Sequence, residues 1–227
     1  MTNSTSLWVS TDSCSETIQL PLLAAASVEE MPTSECAFFD LRPATAFTKA
    51  FLPGSISLPH LQCLGDVDLD KLINGRTVFF IANKQELADE AAAALRATGK
   101  DRVAGWLGSE SLDLWRKNNG PLGAIEQIEP ETLAIRLAGW KTILLDVRDS
   151  AAFESAHIAE ALSIPLACLT SSLQGLPLET PISIICNTGN KSSLAASLLW
   201  NLNYRNLAIV RGGFQNYIER SLAIVTP

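Results

Sequence analysis

Short, uninterrupted runs of apolar residues alternate along the chain with stretches of helical periodicity. The runs are CAFFDL, TVFFIA, KTILLDV and PISIIC, and their brevity and β-branched or aromatic content are typical of strands buried on both faces. Two helices with an apolar stripe are also predicted. Their spaced positions are Leu87, Ala91 and Leu95 in one, and Leu194, Leu198 and Leu202 in the other. Strands alternating with helices predict an α/β fold of parallel sheets covered on both faces.

The chain contains an internal repeat. Residues 40–59 align without a gap with residues 146–165, and seven of the twenty positions are identical, including Asp40 with Asp146 and Arg42 with Arg148. The match continues from residues 77–99 to residues 182–204. We therefore expect two copies of one domain.

The predicted boundary between the copies lies in RKNNGPLGAIEQIEP, whose asparagine, glycine and proline residues suit neither helix nor strand. The sequence predicts a first domain over residues 1–123 and a second over residues 124–227, each a parallel sheet with helices on both faces.

Composition and charge exclude several classes of protein. Hydrophobic residues make up 47% of the chain and charged residues 18%, as in a well-buried globular protein. The net charge of −7 supplies no basic surface for nucleic acid. No apolar run reaches the roughly 18 residues of a membrane-spanning helix, and the start of the chain lacks the basic and apolar regions of a signal peptide. We expect a cytoplasmic protein without nucleic-acid or membrane partners.

The cysteines do not form the pattern of a disulfide framework or a zinc site. There are five of them, an odd number, at positions 14, 36, 63, 168 and 186, with no CxxC pair and only two histidines in the chain. We expect reduced thiols, no metal and no organic cofactor.

Cys186 differs from the other cysteines in its neighbouring loop. It comes directly after a predicted strand and before NTGNK, a short loop with one glycine and one lysine. Ligands of parallel sheets gather at the carboxyl ends of strands. Backbone N–H groups, the helix after the loop and Lys191 would stabilise a thiolate there, and Ser192 or Ser193 could cap the helix. Cys14, Cys36, Cys63 and Cys168 lack such a loop and are interpreted as structural.

With its surroundings, this loop resembles the active loop of the rhodanese family of sulfurtransferases. CNTGNKSS is similar to the family pattern CxxGxR followed by Ser or Thr, LLDVRDSAAFESAHIAEALSIP to its DVR and HIPGA segment, and LAIVRGGFQNY to its closing strand and double glycine. The resemblance covers both copies. It implies that Cys186 is the nucleophile that carries sulfur as a persulfide. The implied persulfide-binding loop comprises Asn187, Thr188, Gly189, Asn190, Lys191 and Ser192.

Several positions depart from the family pattern. Lys191 stands where arginine is usual. Lysine keeps the positive charge but lacks the guanidinium group, which can bind an anionic substrate through two hydrogen bonds. Ala159 and Glu160 replace the Pro and Gly of HIPGA, and Tyr217 replaces the usual Trp. In the first copy, Ala82 aligns with Cys186, so we expect that copy to be non-catalytic.

The resemblance implies double displacement, in which Cys186 takes sulfane sulfur from a small anionic donor and passes it to an acceptor. Thiosulfate is the preferred donor and mercaptopyruvate is less favoured; a thiol, cyanide or a protein cysteine is the acceptor. Related phosphatases use a longer loop, Cys-x5-Arg, with arginine as the sixth residue after the cysteine. In this chain the sixth residue after Cys186 is Ser192, so phosphatase activity is disfavoured. Two alternatives stay open: a persulfide carrier that serves a partner protein, and a non-catalytic binding module.

Three further residues near the loop are interpreted as structural. Asp146 and Arg148 recur in the first copy as Asp40 and Arg42, although that copy has no nucleophile, which favours a local ion pair. His157 is expected to bind backbone rather than to transfer protons, because the proposed chemistry needs no general base.

Overall fold

A computed structural model describes residues 19–24, 31–32, 34–172 and 176–227, whose strands form two parallel sheets. The first sheet has the order β2-β1-β3-β4 and the second the order β5-β9-β8-β6-β7. The strands are β1 (Cys36–Asp40), β2 (Ile56–Ser57), β3 (Thr77–Ile81), β4 (Val103–Leu107), β5 (Glu126–Ile128), β6 (Ile143–Asp146), β7 (Leu162–Ser163), β8 (Ile182–Ile185) and β9 (Leu207–Val210). The α/β class and the four strands expected from the apolar runs are confirmed.

Helices and short 3-10 segments connect the strands. The helices are α1 (Ala44–Phe47), α2 (Leu69–Ile73), α3 (Gln85–Ala97), α4 (Ser111–Asn118), α5 (Pro130–Ala138), α6 (Ser150–Ser155), α7 (Leu169–Ser172), α8 (Asn190–Asn201) and α9 (Gly213–Glu219). The 3-10 segments cover Leu61–Asp66 and Leu166–Cys168. Within the described part of the chain, no helix is both long and apolar enough to cross a membrane.

The two sheets repeat one strand order and one register. The order β2-β1-β3-β4 corresponds to β7-β6-β8-β9. Leu22 forms a parallel bridge with Trp106 of β4 in the first sheet, at the edge equivalent to the one where β5 pairs with β9 in the second sheet. Asp40 lies beside Ile81 in the first sheet, as Asp146 lies beside Ile185 in the second. The repeated segments of sequence therefore occupy equivalent positions in the two sheets.

A single apolar cluster includes residues of both sheets. It contains Phe39 of β1 and Leu145 of β6, together with buried residues of α3 and α8. Smaller clusters cover the opposite faces: one joins the first sheet to α4, and the other joins the second sheet to α5 and α9. The two halves thus share one core, with α3 and α8 contributing to it.

Helix α8 corrects the prediction of a one-sided apolar stripe. All side chains from Ser192 to Leu199 are buried, whereas Leu202, predicted to belong to the stripe, is 44% exposed. The first half supplies polar contacts to this helix: the backbone N–H of Ser57 donates to Ser197 Oγ at 3.1 Å, and Ser57 Oγ donates to Ser193 Oγ at 2.9 Å. The helix is buried all round because the first half covers a side that an isolated domain would expose.

The predicted boundary region is bonded to the first half. Phe51 and Gly123 exchange two backbone hydrogen bonds of 2.9 Å, and a Cβ atom at Gly123 would overlap the Phe51 ring. Helix α4 extends to Asn118, so the start of the segment that we expected to be irregular is helical.

Candidate active site

Cys186 lies at the carboxyl end of β8, in the position expected from the sequence. Its side chain is buried, with the residue 1% exposed. Its carbonyl oxygen accepts a 2.8 Å hydrogen bond from the N–H of Phe214, and the carbonyl of Asn187 accepts one of 3.1 Å from Gln215. The first turn of α9 therefore fixes the backbone from which the cysteine loop begins.

Two backbone amides point at the sulfur. Sγ of Cys186 accepts hydrogen bonds from the N–H of Gly189 at 3.1 Å and from the N–H of Ser192 at 3.3 Å. Gly189 has φ +102°, a conformation that L side chains resist, and this turn brings both amides around Sγ. N–H donors oriented in this way stabilise negative charge on a sulfur atom.

The start of α8 differs from the prediction that Ser192 or Ser193 caps it. Gly189 is the N-cap, without a side-chain capping bond, and the helix begins at Asn190. Ser193 Oγ donates instead to the carbonyl of Asn190 at 2.8 Å. The prediction was wrong because the amides that a capping side chain usually satisfies are here partly satisfied by the sulfur.

Ser192 carries a hydroxyl group with an unused hydrogen-bonding capacity. The residue is fully buried, and its Oγ has no partner in the structure. A buried hydroxyl without a partner is costly, and its backbone N–H is one of the two groups that bind Sγ. The Ser192 hydroxyl therefore lies on a residue that already binds the sulfur through its backbone, and this hydroxyl can still donate one hydrogen bond.

Lys191 contacts two carboxylates. Its Nζ lies 3.1 Å from Asp66 Oδ1, on the 3-10 segment of the first half, and 3.7 Å from Asp149 Oδ1. Partial burial alone would lower the pKa of Lys191, but the hydrogen bond and charge of Asp66, with the charge of Asp149, outweigh it, and the pKa is raised. Lys191 is charged as predicted, but it is paired rather than free.

Cys63 lies close to this group of charges. Burial raises the pKa of its thiol, the charges on Asp66 and Cys186 raise it further, and Lys191 opposes them. Cys63 therefore stays protonated at neutral pH. It forms no disulfide, and neither do Cys36, Cys168 or Cys186. Cys14 falls outside the described residues.

Asp146 and Arg148 form a buried ion pair beside the loop. Arg148 donates to both carboxylate oxygens of Asp146, at 2.6 to 3.0 Å, and to the carbonyl of Ala156 at 2.8 Å. Its guanidinium also lies 3.8 Å from the ring centre of Phe214. Asp40 and Arg42 repeat the pair in the first half. The arrangement links β6 and the residues after it to α9.

His157 binds backbone. Its Nδ1 lies 3.0 Å from the carbonyl oxygen of Phe153, its ring stacks on the Phe153 ring, and its backbone pairs with Val225. These contacts account for the imidazole without proton transfer.

The middle of the loop faces a cleft of about 330 Å³ between the two halves, which Asn187 does not line. Thr188, Gly189 and Asn190 line it together with His60 and Leu87 of the first half, but Cys186 does not. A larger concavity of about 510 Å³ lies around Thr142, Pro181 and Arg205, away from the loop. Within the described ranges, no group of three or more His, Cys, Asp or Glu residues could hold a metal ion.

Sequence reasoning missed Asp66 and Asp149. Asp149 directly follows the DVR segment, so its closeness to the loop could have been inferred from the pairing of β6 with β8. Asp66 is 125 residues from Lys191 and belongs to a stretch, GDVDLD, with no distinctive pattern. Only the packing of the two halves brings it to the site.

Comparison with known proteins shows which family this chain resembles. Residues 129–220 match the family model described as Rhodanese-like domain. A sulfurtransferase of Allochromatium vinosum is 29% identical over 104 residues, which are 45% of this chain and 97% of the relative. The thiosulfate sulfurtransferase GlpE of Pseudomonas syringae is 33% identical over 91 residues, which are 40% of this chain and 84% of the relative. The crystal structure of a thiosulfate sulfurtransferase from Pseudomonas aeruginosa is 20% identical and aligns with 84% of this chain and 37% of that chain, with a TM-score of 0.42. This chain belongs to the rhodanese-like domain family.

Proposed function

We propose that the protein is a sulfurtransferase that carries sulfane sulfur on Cys186. The Cys186 thiolate attacks the outer sulfur of a donor such as thiosulfate; a sulfur–sulfur bond forms, that of thiosulfate breaks, and sulfite leaves with the electron pair. The resulting persulfide gives its outer sulfur to a thiol, cyanide or protein-cysteine acceptor, which restores the thiolate.

The observation that carries this proposal is the pair of amides on the sulfur. The N–H groups of Gly189 and Ser192 lie 3.1 and 3.3 Å from Sγ, and both favour the anionic forms of the resting and the loaded site. Ala82 holds the equivalent position after β3, so we assign the chemistry to the predicted second domain and none to the first.

The Ser192 hydroxyl fits the loaded state. It is buried without a partner, and a persulfide places a second sulfur, with negative charge, near the loop. Donation from Ser192 Oγ to that sulfur would satisfy the hydroxyl and stabilise the intermediate.

The test is the intact mass of the protein after incubation with thiosulfate. Wild type is expected to gain about 32 Da, one sulfur atom added to the nucleophile, and Cys186→Ser is expected to gain nothing. Cys168→Ser is the matched control, since Cys168 is an exposed free cysteine and should leave the gain unchanged. A gain that survives in Cys186→Ser would contradict the proposal.

Two observations favour specific alternatives. Cys186 is 1% exposed, so a donor reaches Sγ only after neighbouring side chains shift, and the non-catalytic module is the alternative that such burial favours. The pairing of Lys191 with two carboxylates favours the persulfide carrier, loaded by a protein rather than by thiosulfate. Incubation with a cysteine desulfurase as sulfur source distinguishes the two alternatives. A persulfide carrier would gain sulfur on Cys186, whereas a non-catalytic binding module would gain none.

A further inference from the structure

The charges at Lys191 come from both halves of the molecule. Asp66, at the end of the segment Leu61–Asp66, belongs to the first half, and Asp149 precedes α6 of the second. Their carboxylates lie 3.1 and 3.7 Å from Nζ. One positive and two negative charges leave this group with a net charge of −1, although the loop itself contains only a positive side chain.

Such a group acts differently on donors of different charge. A free lysine at this position would attract anions, and its attraction would grow with the charge of the donor. With two carboxylates beside it, an incoming anion meets a net negative charge and must compete with Asp66 for the ammonium group. Thiosulfate, a dianion, is therefore disfavoured relative to a donor with a single charge.

We infer that Asp66 of the first half is a selectivity residue for the sulfur donor of the second half, which acts by holding Lys191 and so favours singly charged donors over dianions. This inference rests on the proposed function. It gives the non-catalytic half a part in the reaction that needs no nucleophile of its own. The favoured donors belong to the chemical class of persulfides and thiosulfonates that carry one negative charge.

Asp66 is the stronger of the two carboxylates for this role. It lies closer to Nζ, and its side chain is 27% exposed, against 78% for Asp149. Water and salt screen the exposed Asp149 more effectively. Asp66 also acts on the thiol of Cys63, which places its charge within the buried surroundings of the cysteine loop.

The test compares two donors of one reaction type in wild type and Asp66→Asn. Thiosulfate is the dianion and benzenethiosulfonate the monoanion; each transfers its outer sulfur to Cys186 and leaves as sulfite or benzenesulfinate, with the electron pair of the broken bond. With cyanide as acceptor, Asp66→Asn is expected to raise kcat/KM for thiosulfate by about twofold to fivefold, the range expected of a partly exposed ion pair. The rise in kcat/KM should come from a lower KM, with kcat little changed.

The rise for benzenethiosulfonate is expected to be about the square root of that for thiosulfate, since the electrostatic energy scales with donor charge. Asp68→Asn is the matched control. It removes the same charge two residues away, where the carboxylate pairs with Lys71, and it should leave both donors unchanged.

The outcomes separate this inference from the proposed function. Equal factors for the two donors, or no change, would show that Asp66 only supports the structure, and the inference would be wrong while the function stands. If no donor loads Cys186 in wild type or variant, the proposed function fails. If thiosulfate loads Cys186 in the variant but not in wild type, both the inference and the proposed function are supported. Thermal unfolding verifies that Asp66→Asn is folded, and Asp66→Ser replaces it if it is not.

Discussion

At the scale of single residues, Gly213 controls the backbone of the cysteine loop. It has φ +63°, and a Cβ atom there would come within 3.0 Å of the carbonyl oxygens of Cys186 and Asn187. We expect Gly213→Ala to lower the free energy of unfolding by about 2 to 4 kcal/mol, from backbone strain and the displaced loop, and to reduce persulfide formation. Urea unfolding and intact mass measure the two effects.

Gly99→Ala is the control for Gly213→Ala. Gly99 also has a positive φ, +77°, but a Cβ atom there meets no atom within 4 Å. Its variant should show only the cost of strain and keep full persulfide formation. Equal losses in the two variants would mean that the contact with the cysteine loop is unimportant.

The neighbouring serines Ser192 and Ser193 should respond in opposite ways to loss of the hydroxyl group. Ser192→Ala removes a buried group without a partner, so the free energy of unfolding should stay constant or rise, while the persulfide forms less readily. Ser193→Ala removes bonds to Asn190 and Ser57, at a cost of about 1 to 3 kcal/mol. Urea unfolding and the rate of the 32 Da gain, the mass of about one sulfur atom transferred to the thiolate, distinguish the two variants; a destabilised Ser192→Ala would contradict the unpaired hydroxyl.

Cys63 is expected to make the free energy of unfolding decrease at alkaline pH. Burial raises the pKa of its thiol above the ordinary value of 9.0, so on raising the pH the unfolded chain loses this proton before the folded one. Its contribution is therefore complete below pH 9.0 and is lost as the pH rises towards the folded pKa. Wild type should lose more stability than Cys63→Ala as the pH rises above about 9, measured by urea unfolding. Parallel losses would contradict the shift.

At the scale of elements, α8 depends on its contact with β2. Ser197 Oγ accepts from the N–H of Ser57 and donates to the carbonyl of Leu194. Ser197→Ala leaves a buried N–H without a partner, and we expect it to lower the free energy of unfolding by about 1 to 3 kcal/mol. Ser171→Ala on α7, where the serine is exposed, should change it by less than about 0.5 kcal/mol. Similar values for the two variants would show that the contact adds little.

The elements differ in how far their sequence predicts them. Strands β1, β3, β6 and β8 were predictable because strands buried on both faces are continuous apolar runs. Strands β2 and β7 have two residues each, too few for any periodicity. The start of α8 was missed because a glycine backbone, not a serine side chain, begins it. Cys186 and its loop were recognisable from local sequence, whereas Asp66 depends on tertiary packing that no local pattern records.

At the scale of the whole molecule, the shared core predicts that the two halves unfold together. Phe51 of the first half packs edge-on against Trp200 of α8, with ring centres 5.1 Å apart, within one apolar cluster that includes both sheets. We expect one transition in urea, coincident by tryptophan fluorescence and circular dichroism. Residues 124–227 alone would expose the side of α8 that the first half covers, and should be less stable than the full chain. Two separate transitions would contradict this.

The contacts that Ser57 and Asp66 make with the other half also have an evolutionary meaning. After a duplication, a copy that loses its nucleophile is free to diverge only where the sister copy does not depend on it. Under the proposed function, substitutions around Ala82 remove no nucleophile, whereas those at Ser57 act on α8, which follows the Cys186 loop, and those at Asp66 act on Lys191. Selection on sulfur transfer would therefore constrain the residues of the first half that contact α8 and Lys191 and leave its surface away from these contacts free to diverge.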